Sequence, residues 1–292
     1  MNILLLFPED RYAGDHGLFI IPLADPRAEH MLNILKLSPG DELKAGLVNG
    51  PAGTGKIEKI SGDGIILTFR CGPAETTGPA GKELPGAESS RLRVELIVGQ
   101  VRPICAKRIL REAAMLGVSS ITFIGTDLGE KSYRDAKLWK HGEAERYILD
   151  GVVQSGTTRL PLLQFFRSTD HLLEGLGKLE DPLGLEGLRE LEGLPELEDL
   201  PQSDEPGRGK EKSLRIFLDN VVPGRALSSI VIEHFGRKGW AGVVRIAVGS
   251  ERGWSDRERS LFLDGQWSPA SLGGRILRTE TACTAALSLL LL

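Results

Sequence analysis

The chain has 292 residues, of which 26% are charged and 41% hydrophobic, and a formal net charge of −4. That length suits two domains with real cores, and the three scattered cysteines, Cys71, Cys105 and Cys283, form no CxxC pair and have no suitably spaced histidine, which excludes a disulfide framework or a zinc centre. The negative balance disfavours a nucleic-acid partner only at first sight: residues 174 to 212 hold twelve acids and five bases, so this stretch carries −7 and the rest +3, weak support for an RNA surface.

Residues 1 to 70 alternate short β-type runs (ILLLF, LFIIPL, IILTF) with turns rich in Gly, Pro and Asp, and predict a small all-β barrel. MNILLLFPEDRYAG carries no basic leader, and the terminal ACTAALSLLLL is too short to span a bilayer, so a cytoplasmic protein without membrane partners is expected. Within the barrel, Met31, Leu32, Ile34, Leu35 and Leu37 of EHMLNILKLSPGDEL predict a short helix ending before Pro39-Gly40. GPAGTGKI, residues 50 to 57, matches the GxxxxGK of a phosphate-binding loop, which would suggest a nucleotide hydrolase. Ile57 stands where a magnesium-binding hydroxyl is needed, however, and the next run is strand-like, so a glycine-rich hairpin is the better account. Residues 71 to 91, dense in Gly, Pro, Ser and Glu, read as a linker.

From Leu92 strands alternate with helices. VELIVGQV is a strand, Ile104 to Leu116 a helix with Ile109, Leu110, Ala113 and Leu116 on one face, and ITFIG a second strand. A helix of about residues 137 to 153 leads into QSGTTRLP, and IFLDN and VVRIAVG are further strands. This is the pattern of an α/β domain over residues 92 to 292, a mostly parallel sheet with helices on both faces and ligands at the strands' carboxyl ends. RPICAKRILR places Arg102, Lys107, Arg108 and Arg111 around a helix start, either to contact phosphates or as a solvated face. Between Leu173 and Lys212 leucine recurs at every third residue, a spacing that fits neither helix nor strand; an acidic, low-complexity insertion at about 174 to 212, mobile and without catalytic need, is expected.

Two glycine-bearing loops remain. GSERGWS, residues 249 to 255, joins a strand to a helix, Asp256 to Leu263, that Ser255 caps. LGGRILRTETACTAAL, residues 272 to 287, runs from a loop over Gly273 to Glu280 into a helix with Thr279 or Thr281 as its cap. The loop either bends around a polar ligand or is an ordinary turn with solvated charges. His30, His141 and His171 sit in unrelated contexts, and no nucleophile elbow is present, so no histidine-based catalytic group emerges.

LGGRILRTETA, with GSERGWS and QSGTTRLP, resembles the RsmE family of small-subunit ribosomal RNA methyltransferases of the SPOUT superfamily; EHMLNILKLSPGDEL resembles the same family's barrel motif. The resemblance implies a PUA-like β-barrel for RNA, then an α/β domain whose carboxyl end is tied in a trefoil knot, a rare exception to un-knotted topology. It implies a homodimer that uses S-adenosylmethionine, without metal, to methylate N3 of a uridine in 16S ribosomal RNA. By this analogy Leu218, Gly249, Glu251, Gly253, Leu272, Gly273, Ile276, Leu277 and Thr281 line the cofactor. Arg278 and Glu280 handle the base, and Arg102, Lys107, Arg108, Gln154, Arg159 and Arg275 contact RNA. The sequence departs from the family at Ser250 (usually Pro), Arg252 (usually Gly), Thr157 (usually Arg) and Val153 (usually Glu), and has Arg111-Glu112 for a Gln-Lys pair. A catalytically weak relative that only binds RNA is the alternative these departures raise.

Overall fold

The computed structural model describes residues 2–12, 17–72, 92–180, 212–222, 224–235 and 242–292. The first sheet contains β1 (Leu4–Leu6), β2 (Leu18–Ile21), β3 (Glu42–Leu47), β4 (Ala52–Ser61) and β5 (Gly64–Cys71). Their order is β1-β3-β4-β5-β2, with β1 parallel to β3 and the other pairs antiparallel. Period-two alternation turns Ile57, Ile65 and Leu67 inward onto Leu4, Leu6, Phe19 and Ile21. β1 serves two cores: Leu4 and Leu6 pack here, whereas Ile3 and Leu5 join the core of the second sheet. Backbone and side-chain bonds strengthen this junction, from Asn49 N to Thr158 O at 2.8 Å and from Thr158 Oγ1 to Gly50 O at 2.6 Å.

The helix between β2 and β3 starts earlier than its apolar spacing suggests. α1 (Pro26–Glu29) is opened by Asp25, whose carboxylate accepts from Arg27 N at 2.8 Å, and it continues as a π-helical turn, His30–Ile34. The Asp-Pro pair sets the start, and the wider turn buries Met31 while leaving Ile34 and Leu35 exposed. GPAGTGKI lies on the β3–β4 hairpin, with Lys56 in mid-strand opposite Glu42 and Thr68. A Cβ on Gly53 would approach Arg70 O to 2.1 Å. The glycine there serves strand contact, and with no helix after it, the nucleotide-hydrolase reading fails.

The second sheet is entirely parallel. Its strands β6 (Arg93–Gly99), β7 (Ser120–Ile124), β8 (Leu162–Phe166), β9 (Ser213–Leu218), β10 (Arg225–Ala226), β11 (Val243–Val248) and β12 (Ser268–Ser271) take the order β10-β12-β9-β11-β6-β7-β8. The helices are α2 (Pro103–Leu116), α3 (Glu143–Ser155), α4 (Thr169–Glu180), α5 (Leu227–Phe235), α6 (Asp256–Asp264) and α7 (Thr279–Leu291). α4 and α6 supply Leu172, Leu176 and Phe262 to one face; α2, α3, α5 and α7 cover the other through Ile109, Val152, Ile230 and Ala286. Both faces are thus covered, as the buried VVRIAV pattern demands.

Three expectations need correction. The helix drawn over 137 to 153 is two pieces, a 3-10 turn Lys137–Trp139 and α3, separated where His141 (φ 56°) and Gly142 (φ 73°) turn left-handed. α7 has Arg278 at its cap position with no side-chain cap; Thr279 is already helical and buried. The acidic insertion expected at about 174 to 212 overlaps α4, which Glu174 to Glu180 complete, and its remainder up to residue 211 lies outside the described residues. So does the linker, apart from Cys71, which closes β5, and Gly72.

Candidate active site at the carboxyl ends of the parallel strands

β9 lies between β11 and β12, and its last residue, Leu218, is in register with both Val248 and Ala270. Gly249 directly follows one partner and Leu272 stands two residues beyond the other. Three segments expected to line the cofactor therefore meet where ligands of open parallel sheets bind. Trp254 Nε1 donates to Leu218 O at 3.0 Å and Asp219 N donates to Ala270 O at 3.0 Å, which fixes the strand ends together.

The GSERGWS loop folds tightly on itself. Gly253 N donates to Ser250 O at 2.9 Å, Gly253 has φ 71°, and a Cβ on Gly249 would come within 2.9 Å of Gly253 Cα. Ser250, in the place of the family's proline, is buried, and Thr126 Oγ1 donates to its Oγ at 3.4 Å; Arg252 points to solvent. Neither departure breaks the turn. Glu251 accepts from Arg102 N at 2.9 Å, so this wall residue ties the loop to the start of α2, where the helix dipole favours its charge.

At the end of the loop, Ser255 caps α6 as expected, within a reciprocal capping box: Glu258 N donates to Ser255 Oγ at 3.1 Å and Ser255 N to Glu258 Oε2 at 2.9 Å. Glu258 is fully buried and also accepts from Thr169 Oγ1 at 2.8 Å and Asp127 N at 3.2 Å. Sequence reasoning missed Glu258, although the S-x-x-E spacing is its signature. Arg257 and the Ser255 hydroxyl hold the Asp127 carboxyl below its ordinary range.

The segment after β12 is open. Gly273 has φ 108°, Cβ atoms built on Gly273 and Gly274 would meet nothing, and Ile276 is 83% exposed. Among the described residues no hydrogen bond engages the backbone amides or carbonyls of Gly273 through Leu277. Backbone groups left unpaired beside two glycines suit the edge of a planar heterocycle, so the residues present fit the adenosyl cofactor the resemblance implies. Arg275, Arg278 and Thr281 are exposed along the same path.

Glu280 is buried in the seam between α2 and α7, its Oε1 3.8 Å from Arg108 Nη1. Beside it, burial and then the Glu280 charge push the Cys105 thiol up. Thr284 Oγ1 donates to the Glu112 carboxylate and, at 3.0 Å, to Glu280 O. Arg102, Arg108, Glu251 and Glu280 thus gather at the start of α2. Other expected RNA contacts lie elsewhere. Lys107 pairs with Glu143 at 2.7 Å and stands over the Tyr147 ring at 5.2 Å. Gln154 and Arg159 flank the end of α3 beside the first sheet, where Leu160 N donates to Asn49 Oδ1 at 2.9 Å. Among the described residues no helix is long and apolar enough to cross a membrane, and no group of three His, Cys, Asp or Glu is placed to hold a metal ion.

Residues 88–185 and 193–291 match the family model described as an RNA methyltransferase domain. The chain belongs to this family. Two relatives of the RNA methyltransferase are named ribosomal RNA small subunit methyltransferase E and E 1. That of Treponema pallidum is 29% identical, covering 100% of this chain and 91% of the relative; that of Borreliella burgdorferi is 28% identical over 98% and 95%. They bear out the resemblance to the RsmE family and the expectation of an rRNA methyltransferase. The fold of this RNA methyltransferase is shared with a Neisseria gonorrhoeae ribosomal RNA small subunit methyltransferase E bound to S-adenosylmethionine (TM-score 0.62, 17% identity, 99% and 95% covered). It is shared equally with a Legionella pneumophila structure in complex with the same cofactor (TM-score 0.63, 20% identity, 99% and 97% covered).

Proposed function

We propose that this RNA methyltransferase carries the methyl group of S-adenosylmethionine to N3 of one uridine in the 16S ribosomal RNA of the small subunit, as a cytoplasmic homodimer. The observation that carries the reading is the open, unpaired backbone of Gly273 to Leu277, which stands across Leu218 from the Gly249–Gly253 turn and leads into Arg278 and Glu280. The names of the two bacterial relatives support ribosomal RNA of the small subunit as the substrate.

When bound, S-adenosylmethionine supplies a methyl group already activated on its sulfonium. The chain has to bind and align it, with Leu218, Gly249, Gly253, Leu272, Gly273, Ile276, Leu277 and Thr281 around it and Glu251 bracing the turn. Uracil N3 carries a proton and attacks only once that proton has left. Glu280 accepts the proton; Arg278, exposed at the start of α7, offsets the negative charge that spreads onto the uracil oxygens. With the cofactor held there, the freed N3 would be aligned to take the methyl group, and the thioether would be the leaving group. Arg102, Arg108 and Arg275 guide the RNA to this cluster, while Lys107, Gln154 and Arg159 extend the contact toward the first sheet.

The first sheet, residues 1 to 70, serves as a PUA-like barrel for RNA, and residues 92 to 292 as the SPOUT domain. The knot is favoured by strand order. β10 lies outside β12, so the two strands that follow one another in the chain, β9 and β10, have β12 between them. From β12 the chain returns to α7, which packs against β11 and β6 beyond β9, an order that supports a threaded carboxyl end. The dimer is favoured by apolar side chains left exposed on the helices of one face, Ile104 and Met115 on α2, Ile232 on α5 and Leu289 on α7. The binding-only reading rests on Ser250, Arg252 and Thr157; the intact Ser250–Gly253 turn speaks for the enzyme. Titration with S-adenosylmethionine separates the two: micromolar binding is expected, and no binding would leave an RNA-binding protein.

A further inference from the structure

A cavity of ≈290 Å³ opens at the carboxyl ends of β6, β7 and β8, lined among others by Gln100, Gly125, Thr126, Lys131, Arg134 and Arg167. It adjoins the candidate active site: Thr126 lines it and donates to Ser250 of the glycine turn, while Gly99, just before Gln100, has room only for hydrogen against Ser250 N, which a Cβ would approach to 2.6 Å. Its two carboxylates are engaged, Asp127 by Arg257 and Ser255 and Glu130 by Ser132. Lys131, Arg134 and Arg167 are exposed at its rim, with Arg134 Nη1 donating to Arg167 O at 3.3 Å. Gln100 stands out: the residue is 3% exposed, its backbone amide donates to Ile124 O at 2.7 Å, and its side-chain Nε2 is buried without a hydrogen-bond partner. A buried donor left unpaired is costly, and in native proteins it marks a place where an acceptor is missing.

Resting on the function proposed above, we infer that this cavity receives the target base, extruded from the RNA, and that Gln100 Nε2 donates to one of its ring carbonyl oxygens. An enzyme acting on a base takes it out of the stack into a snug pocket, and this one lies at the small end of the range for ligand sites. The unpaired group is a donor, so it asks for an acceptor, and uracil flanks the reactive N3 with two, O2 and O4. As the N3 proton leaves, charge spreads onto these oxygens, so the Gln100 contact strengthens as the reaction proceeds. The basic rim takes the flanking phosphates.

The test is Gln100→Leu in the full-length protein, with methyl transfer to small ribosomal subunits lacking the modification, S-adenosylmethionine affinity and thermal melting measured in parallel, and Arg167→Ala alongside. The expected result is a loss of kcat of at least about tenfold for Q100L with cofactor affinity kept and melting temperature unchanged or raised, because removing an unpaired buried amide relieves rather than removes an interaction. R167A is expected to raise KM for the subunit while keeping kcat. A kcat for Q100L within twofold of the wild type overturns the pocket; so does a lowered melting temperature that accounts for the lost activity, since Gln100 would then be structural. Failure of the wild type itself to methylate the subunits overturns the proposed function, and the uracil assignment with it.

Discussion

Gly273 holds a φ of 108° with open space where a side chain would be, and flanks a run of unpaired backbone. Valine there strains the backbone by roughly 1–3 kcal/mol. Because the strain is relieved by moving the loop, Gly273→Val is expected to weaken S-adenosylmethionine binding about tenfold or more in calorimetric titration, with little change in melting temperature. Unchanged affinity would remove the loop from the cofactor site. Glu280 yields a second outcome. Burial first, and then the neighbouring Glu280 charge, push the Cys105 thiol up. Removing that charge in Glu280→Gln lowers the thiol's titration point and raises its thiolate fraction, so iodoacetamide is expected to alkylate Cys105 faster at pH 8, read by peptide mass spectrometry. An unchanged rate would mean that the two side chains do not face one another. The same variant, assayed for turnover, tests Glu280 as proton acceptor.

At the scale of elements, α6 is held at its amino end by the Ser255 box and by an acid–base cluster in which Arg257 donates to Asp127 at 2.7 Å and Asp170 at 2.8 Å. Ser255→Ala is expected to cost about 1 kcal/mol in denaturant unfolding. The Asp127 carboxyl is held below its ordinary 3.8, mainly by Arg257, so the stability it contributes is present above that value and is lost as pH falls below it. Arg257→Ala is therefore expected to flatten the loss of stability below about pH 4; an identical acid limb would show the cluster to be solvated. The Ser255 cap was legible in GSERGWS, where a serine stands directly before the helix, whereas its reciprocal partner Glu258 was missed although the S-x-x-E spacing carries it. The hairpin reading of GPAGTGKI was legible in the same way, through the strand-like IEKISGDGIILTF that succeeds the motif in place of a helix. The break at His141 and Gly142 was not, since apolar periodicity runs across it and a left-handed histidine leaves no trace in composition. Nor was α5, whose SSIVIEHF is β-branched and reads as strand until packing against α7 decides otherwise. Gln100 carried no signal at all: its interest comes from burial and from the lack of a partner.

For the whole molecule, the two sheets are joined through β1, whose odd and even residues enter different cores, so neither half buries its apolar surface alone. That coupling sets the first sheet beside the end of α3, where Gln154 and Arg159 lie. The surplus of bases outside the acidic stretch is masked in the overall −4, which is why net charge alone misleads about the partner. The reaction proposed for this molecule is methylation of a ribosomal uridine at N3. The most direct measurement is transfer from labelled S-adenosylmethionine to small ribosomal subunits that lack the modification, with the product mapped by nuclease digestion and mass spectrometry. N3-methyluridine at a single site in 16S ribosomal RNA is expected; methylation of another atom or another RNA, or no transfer at all, would contradict the proposed function.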